Sequence, residues 1–444
     1  MSANHTLDNP AWLGGLPPRW ECKKIGSLFA ERKVKVSDKD YLPLSVAKIG
    51  VVPQLDTAVK TDAGDNRKLV CVGDFVINSR SDRKGSCGIS ELDGSVSLIN
   101  IVLTPRSQWN SRYVHYLLRS QPFSEEYYRN GRGIVADLWT TRYSEMKSIF
   151  LPIPPRPEQD QIVQFLDWKV SSVNKLINIK RNEIKELDAL KRSIISHAIT
   201  HGLAPNVPMK FSGTKWLGNI PAHWQIMKLR QILHPVSVKN SPELPLLSVV
   251  REQGVILRDV EDTKSNHNFI PDDLSGYKVV KKGQFAMNKM KAWQGSYGVS
   301  DYTGIVSPAY FIFDVAFENL AYFHYAIRSK VYVNFFAQAS DGIRVGQWDL
   351  QMDKMKEIPF IVPPADEQCA IVEHIKRTLP KYDTIIEKLT TEVGVLEEYK
   401  IKLIADTVTG KIDIRGIEIP KYEFVEENVD AENNESMEGE KYEE

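Results

Sequence analysis

Two segments of the chain show apolar residues that are spaced alternately by three and four positions. The first covers approximately residues 157–200 and the second approximately residues 366–408. The spacing holds for about five heptads, which predicts long helices that pack along a narrow seam. The seam positions are Leu166, Val170, Val173, Ile177, Lys180, Ile184, Leu187, Lys191, Ile194 and Ala198 in the first segment, and Ile375, Leu379, Tyr382, Ile386, Leu389, Val393, Leu396, Lys400, Leu403 and Thr407 in the second.

Two features interrupt the apolar seams. Lys191 and Lys400 occupy equivalent seam positions, where a lysine either sets the register of the helices or extends its ammonium group to solvent. Pro380 lies within the second segment. Because proline lacks the backbone N–H that a helix interior uses, we expect a kink there or a helix that starts afresh. Gly410 is expected to end the second helix as its C-terminal cap.

Short apolar runs bounded by glycine, aspartate and serine replace this pattern elsewhere in the chain. Residues 74–78 and 96–99 precede the first long helix, and residues 284–288 and 310–313 precede the second. Runs of this length and composition are typical of strands. Since a helical stretch follows near residues 113–119, we predict compact α+β domains of roughly 150 residues each.

The same motifs occur in the same order in both halves of the chain. Their offset is 204 at the start, then 210 and then 209, so only small loop insertions separate the copies. The motif pairs are Trp12-Leu13-Gly14 and Trp216-Leu217-Gly218, Gly85-Ser86 and Gly295-Ser296, Tyr113 and Tyr322, Gly133 and Gly342, Trp139 and Trp348, and Glu158-Gln159 and Glu367-Gln368. One chain therefore carries two copies of a domain-plus-helix unit, which predicts near two-fold symmetry.

The predicted fold class is α+β, with two repeated domains separated by two long antiparallel coiled-coil helices. We assign residues 1–155 to the first domain, 156–203 to the central helix, 204–364 to a linker and the second domain, 365–416 to the distal helix, and 417–444 to an acidic disordered tail. A helix of about 43 residues would span roughly 65 Å. That length suits two domains that bind half-sites roughly 34 Å apart, one turn of DNA.

Charge is unevenly distributed, although 57 basic and 57 acidic residues cancel. Residues 421–444 contain ten acidic residues and two lysines, which leaves 55 basic and 47 acidic residues, a net charge of +8, for the rest of the chain. The composition of this segment predicts a disordered tail, which either aids solubility or competes with DNA for a basic surface. We expect neither a membrane span nor a signal peptide, and the four scattered cysteines are typical of a cytosolic protein.

No catalytic constellation is recognisable in the sequence. A P-loop and a Gly-x-Gly-x-x-Gly turn are missing, and no nucleophile and base can be paired from spacing alone. His197 and His201 have a spacing that could ligate a metal, but at a helix end histidine also interacts favourably with the helix dipole, and we prefer that interpretation. The chain is therefore expected to be non-catalytic.

Two pairs of polar loops carry the groups that we expect to contact DNA. Residues 78–85 match residues 288–295 at both ends but differ in between, and residues 131–133 correspond to a second loop at 341–344. Matched positions hold the fold or contact phosphate, whereas variable donors read base edges. The predicted DNA-contacting residues are Arg80, Arg83, Lys84, Arg132, Arg142, Lys289, Lys291, Gln294 and Arg344.

The ordered set of motifs resembles the specificity subunits of type I restriction–modification enzymes. The motifs are Leu16-Pro17-Pro18-Arg19-Trp20, Ile153-Pro154-Pro155 with Glu158-Gln159, Ile220-Pro221-Ala222-His223-Trp224, and Val362-Pro363-Pro364-Ala365-Asp366-Glu367-Gln368. Each motif is weak alone, but the ordered set in two copies is specific and extends over approximately residues 12–416. Pro380 and the acidic tail depart from the pattern.

The resemblance implies two target recognition domains, each of which reads one half of a split, asymmetric site in double-stranded DNA. The long helices would fix the spacer between the half-sites and dock two methyltransferase subunits, and restriction subunits would join the complex. S-adenosylmethionine, ATP and Mg²⁺ would bind these partners, with no cofactor on this chain. The resemblance also implies a cytoplasmic protein without a membrane partner.

Two other functions are consistent with parts of the sequence. A self-sufficient restriction enzyme or methylase would need a catalytic domain, which is not recognisable here. A coiled-coil adaptor without sequence-specific DNA binding would use the long helices but would leave the basic loops unexplained.

Overall fold

The computed structural model describes residues 10–54, 64–80, 83–133, 139–259, 270–271, 273–344 and 347–426. The chain forms two compact units. Among the described residues, the first unit contains residues 10–181 and 391–426, and the second unit contains residues 182–390. Each unit therefore combines one repeated domain with one part of each long helix.

A four-stranded antiparallel sheet forms the centre of the first unit. Its strands, in spatial order, are Phe29–Glu31, Asn100–Pro105, Phe75–Asn78 and Cys87–Ile89. The unit also contains a three-stranded sheet of Lys35–Val36, Arg67–Val70 and Gly94–Val96, and the strand pairs Leu44–Ala47 with Gly50–Pro53 and Glu21–Lys24 with Phe150–Ile153. Its short helices are Ile25–Leu28, Ser111–Arg119, Gln121–Arg129 and Tyr143–Met146.

The second unit has a central sheet with the same strand order. The four strands are Leu233–Val236, Tyr310–Val315, Phe285–Asn288 and Tyr297–Val299. Strand pairs are Met209–Phe211 with Asn219–Pro221, Gln225–Lys228 with Pro359–Val362, Leu247–Val250 with Gly254–Leu257, Lys278–Val280 with Gly304–Val306, and Ser340–Arg344 with Gln347–Leu350. Helices are Leu229–Ile232, Leu320–Ile327, Lys330–Gln338 and Met352–Lys356, with a 3₁₀ turn at Ala292–Gln294. The predicted α+β fold class and internal repeat are therefore confirmed.

The glutamines of the repeated Glu-Gln motif fix the beginning of each long helix. Gln159 Nε2 donates to Pro154 O at 3.0 Å, and Gln368 Nε2 donates to Pro363 O at 2.8 Å. Both glutamines are buried. A buried amide without a partner is costly, so the proline carbonyl and the glutamine form a stable turn into the helix.

The two long helices begin and end within one residue of the bounds predicted from the apolar spacing, whereas the segments assigned to them, 156–203 and 365–416, extend two and eight residues further. The helices are Arg156–His201 and Ala365–Val408. None of the twenty predicted seam residues is exposed. The second helix ends two residues before Gly410, whose φ of 75° is the left-handed conformation expected of a C-terminal cap.

Contacts within the first unit show that the helices are antiparallel. Asn174 of the first helix contacts Lys400 of the second, whereas Lys180, further along the first helix, forms an ion pair with Glu392. The partner number falls as the residue number rises, as antiparallel packing requires. Val173, Ile177, Val393 and Leu396 form the apolar part of this seam.

The seam lysines are paired with polar groups of the opposite helix. In the second unit, Lys191 forms an ion pair with Asp383. In the first unit, Lys400 donates to Asn174 Oδ1 at 3.2 Å. A shift of register would separate these partners, so the contacts favour the interpretation that the lysines set register.

The second long helix continues through Pro380 without a break, so the predicted restart of the helix is wrong. Pro380 is exposed, whereas Leu379 and Tyr382 on either side of it are partly buried in the seam. Seam packing offsets the cost of about 3 kcal/mol that a proline imposes on a helix interior.

Each domain core includes residues from both long helices. Leu166, near the beginning of the first helix, and Val408, at the end of the second, lie in the core of the first unit. Ala198, near the end of the first helix, and Ile375, near the beginning of the second, lie in the core of the second unit. Each domain thus packs against the beginning of one helix and the end of the other.

Residues 417–426, which the sequence analysis assigned to the disordered tail, contact the first long helix. Val425 N donates to Ser171 Oγ at 2.9 Å, and Asn174 Nδ2 donates to Val425 O at 3.1 Å. This part of the assignment is wrong, because polar side chains of the helix bond the backbone of the segment. The remainder of the predicted tail, residues 427–444, lies outside the described residues.

Candidate nucleic-acid interface

The predicted loops of the first unit lie next to one another. Thr140 and Arg132 exchange two backbone hydrogen bonds of 3.0 Å, and Thr140 also forms a backbone bridge with Arg80. Thr141 N donates to Ser79 O at 3.0 Å. The structure therefore brings together three segments that the sequence separates, at residues 79–80, 131–133 and 139–142.

Five predicted DNA-contacting residues of this unit are exposed: Arg80, Arg83, Lys84, Arg132 and Arg142. Lys84 Nζ lies 5.4 Å from the centre of the Tyr128 ring, and this cation–π contact holds the ammonium group at the surface. Arg142 precedes the helix Tyr143–Met146, and the backbone N–H of Arg142 donates to Glu145 Oε2 at 3.1 Å. Residues 81–82 of the first loop lie outside the described residues.

The matched residues at the ends of the loops shape the backbone. Asn78 Oδ1 accepts a hydrogen bond of 3.0 Å from Arg80 N, and Asn288 Oδ1 accepts one of 3.0 Å from Met290 N. Gly85 and Gly295 have φ values of 80° and 96°, which favour glycine. These contacts agree with the expectation that matched positions hold the fold while the residues between them vary.

The loops of the second unit are also adjacent. Trp293 from the first loop stacks on Trp348 of the strand Gln347–Leu350, with ring centroids 5.1 Å apart. Lys291 is exposed and Gln294 is partly buried on the same loop. Trp293 has no equivalent aromatic in the first unit, where Arg83 occupies the corresponding position.

One predicted DNA-contacting residue of the second unit, Lys289, is not a simple exposed donor. Lys289 Nζ lies 2.7 Å from Asp349 Oδ1, and only 35% of the lysine side chain is exposed. Its charge is therefore largely neutralised by Asp349, which the sequence analysis missed because no local pattern links the two positions. Arg344 ends the strand Ser340–Arg344, and its side chain lies outside the described residues.

A histidine on an equivalent helix is largely buried in each unit. Ile89 N donates to His115 Nδ1 at 3.5 Å, and Val299 N donates to His324 Nδ1 at 3.3 Å. Burial, followed by the charge of Arg119, lowers the pKa of His115 to about 3. Burial and a neighbouring arginine lower the pKa of His324 to about 4. Both rings are neutral acceptors at physiological pH.

The paired histidines at the end of the first long helix lie against each other. The rings of His197 and His201 stack with centroids 4.8 Å apart. Across the described part of the chain, no group of three or more His, Cys, Asp or Glu is arranged to hold a metal ion. Within those same residues, no helix combines the length and apolarity that a membrane crossing needs.

Each of the two repeated α+β domains thus carries a polar surface at which two loops meet. No family model matches the chain. The type I restriction enzyme MjaVIII specificity subunit of Methanocaldococcus jannaschii is 24% identical over 430 residues, which cover 90% of this chain and 95% of that protein. The putative type I restriction enzyme MjaX specificity subunit of the same organism is 24% identical over 287 residues, which cover 61% of each.

This fold is shared by a chain of one solved structure. That structure concerns complex assembly and conformational transition of the type I restriction–modification system. The TM-score is 0.60 at 12% identity, and the match covers 90% of this chain and 100% of that chain. Both sequence relatives are type I specificity subunits, and the solved structure shows the shared fold. The resemblance to type I specificity subunits that the motif order predicts is therefore confirmed.

Proposed function

We propose that this chain is the DNA sequence-specificity subunit of a type I restriction–modification system. One observation carries the proposal: each repeated domain brings its two polar loops together on one surface. The similarity to specificity subunits, which extends over 90% of the chain, supports the same function. Each surface would read one half of a split site in double-stranded DNA.

Recognition would divide between two kinds of contact. Guanidinium groups such as those of Arg80 and Arg132 can donate two parallel hydrogen bonds to guanine, and exposed lysines such as Lys291 can bind phosphate or guanine. Because the residues between the matched loop ends differ, the two half-sites would differ in sequence. This asymmetry would give the bound site a direction.

Two methyltransferase subunits are the proposed partners of the long helices. Seven apolar residues on these helices are 44–60% exposed, and four of them stand at repeated positions: Leu176, Leu190, Ile385 and Tyr399. Leu176 and Ile385 are related by 209 residues, as are Leu190 and Tyr399. Each unit therefore presents one member of each pair. Unpartnered apolar side chains at repeated positions suit two copies of the same partner.

The remaining chemistry would belong to partner subunits. The chain would be non-catalytic, and S-adenosylmethionine, ATP and Mg²⁺ would bind the methyltransferase and restriction subunits. A protein that reads chromosomal DNA would act in the cytoplasm.

Adenine methylation mapped by single-molecule sequencing tests the proposal. Cells would express the methyltransferase partner with or without this chain, and we expect one split, asymmetric motif to be methylated only when the chain is present. If the chain leaves the methylation pattern unchanged although the partner is bound, the protein is an adaptor without DNA specificity.

A pair of matched variants tests the loop assignment. Arg83→Gln with Lys84→Gln removes two exposed positive charges from the loop 78–85 of the first unit. It should reduce methylation of the motif by about 10- to 100-fold. Lys281→Gln with Lys282→Gln removes two exposed charges at the other end of the strand Phe285–Asn288 and should leave methylation unchanged.

A further inference from the structure

The two units carry opposite charges at one equivalent position. Arg132 pairs with Thr140 in the backbone of the first unit, and Asp341 pairs with Asp349 in the second. Both members of the pair are shifted by 209 residues, the offset of the flanking motifs. Arg132 and Asp341 therefore occupy the same place in their domains, and both are exposed.

The charge on the following short helix is reversed as well. Lys354 Nζ lies 2.9 Å from Asp341 Oδ1, and both side chains are more than half exposed. The counterpart of Lys354 is Glu145. Burial opposes the shift, but hydrogen bonds from Ser144 and from backbone N–H groups, together with the charge of Arg132, lower the pKa of Glu145. Each unit thus has an acid and a base at these two positions, with the polarity exchanged.

This exchange of polarity changes what each surface offers to DNA. A guanidinium donates two hydrogen bonds to guanine, whereas a carboxylate accepts one from the amino group of cytosine. Asp341 belongs to the strand pair that also carries Trp348. The Trp348 ring stacks on Trp293 of the loop 288–295. Phosphate repels a carboxylate, so contact with the DNA backbone does not explain an aspartate at this place.

We propose that Asp341 is a specificity-determining residue of the second domain, at the place that Arg132 occupies in the first. Lys354 is a positioning residue that holds the carboxylate. The inference rests on the proposed DNA-reading function and deepens it: one half-site presents guanine at this position, and the other presents cytosine.

The test exchanges polarity in the full-length chain without changing net charge. Asp341→Arg with Lys354→Glu gives the second domain the polarity of the first, and methylated motifs are mapped in complex with the methyltransferase partner. We expect the preferred base to change at one position of one half-site, with discrimination of about 10- to 100-fold, while the other half-site is unaltered. Arg132→Asp with Glu145→Lys should alter the other half-site.

A second ion pair supplies the matched control. Asp353 and Lys356 lie 3.4 Å apart and are exposed on the helix Met352–Lys356. Reversing them with Asp353→Lys and Lys356→Asp should leave the motif unchanged. The milder variant Asp341→Asn, which keeps the shape of the side chain, should relax the base preference at the same position even if the double exchange impairs folding.

Two results separate failure of this inference from failure of the proposed function. If both Asp341 variants methylate the wild-type motif with wild-type selectivity, Asp341 does not determine specificity. If the wild-type chain directs methylation to no split motif, the proposed function itself is wrong.

Discussion

At the scale of single residues, the buried histidines couple folding to pH. The pKa values of about 3 for His115 and about 4 for His324 lie below the value of 6.5 for a free side chain. As pH falls, the unfolded chain therefore binds protons before the folded chain does. The stability that depends on the neutral rings is complete above about pH 6.5 and declines below it, by up to about 1.4 kcal/mol per pH unit for each histidine.

We expect His115→Gln with His324→Gln to reduce this dependence on pH. The measurement is the free energy of unfolding in urea between pH 7 and pH 5, compared with the wild type. Replacement of the exposed His234 by glutamine is the control and should preserve the wild-type slope. An identical slope in the double variant would show that the buried rings do not govern acid stability.

The sequence predicted where the candidate DNA-binding loops begin and end but not all their side-chain partners. Matched glycines and asparagines marked the loop ends because turn geometry is local, and Asn78 and Asn288 indeed bond the backbone two residues away. The ion pair between Lys289 and Asp349 joins positions that are distant in sequence. Only the fold brings such groups together, so the sequence alone gives no sign that this lysine is paired.

At the scale of elements, the long helices were the best-predicted part of the fold. Heptad spacing and the proline and glycine that flank the helices are properties of short windows, which is why the helix ends predicted from the apolar spacing are accurate. The predicted restart of the helix at Pro380 is wrong for the opposite reason. The local effect of the proline is unfavourable, and the seam packing that compensates for it comes from the other helix.

Gly410 provides a test of how the second long helix ends. Its φ is 75°, and a Cβ added there would lie 2.5 Å from Pro17 Cδ, so Gly410→Ala introduces both backbone strain and a steric clash. Gly416 has a φ of 81° but nothing within 4 Å of the added Cβ, so Gly416→Ala introduces strain alone. We expect about 1 kcal/mol of destabilisation for Gly416→Ala and clearly more for Gly410→Ala.

Urea denaturation of the two alanine variants measures this difference. Equal midpoints for Gly410→Ala and Gly416→Ala would mean that the end of the helix moves away from Pro17 at no cost. The close approach of Gly410 to Pro17 would then contribute nothing to the attachment of the second long helix to the domain.

At the scale of the whole molecule, the sequence predicts the internal repeat but not the division of the chain into compact units. Motif order indicates one domain followed by one helix, twice. In the structure, each compact unit contains parts of both long helices, because each domain core includes the beginning of one helix and the end of the other. Such packing depends on antiparallel pairing, which joins residues more than 200 positions apart, such as Asn174 and Lys400.

This organisation predicts that the two proposed methyltransferase subunits can be removed one at a time. Leu176 and Tyr399 lie in the first unit, whereas Leu190 and Ile385 lie in the second. Replacement of Leu176 and Tyr399 by glutamate should weaken the binding of one methyltransferase subunit at least about 10-fold. Burial of one such side chain contributes about 1.5–3 kcal/mol to binding. Native mass spectrometry should then find one bound methyltransferase subunit instead of two, and none when all four residues are replaced.

The control for this experiment places glutamate at polar positions of the same helices. Lys175 and Lys402 are exposed and belong to the first unit. Lys175→Glu with Lys402→Glu should retain two partner copies, because it changes charge without removing apolar surface. If the apolar variants also retain both copies, the exposed pairs are not the docking surface.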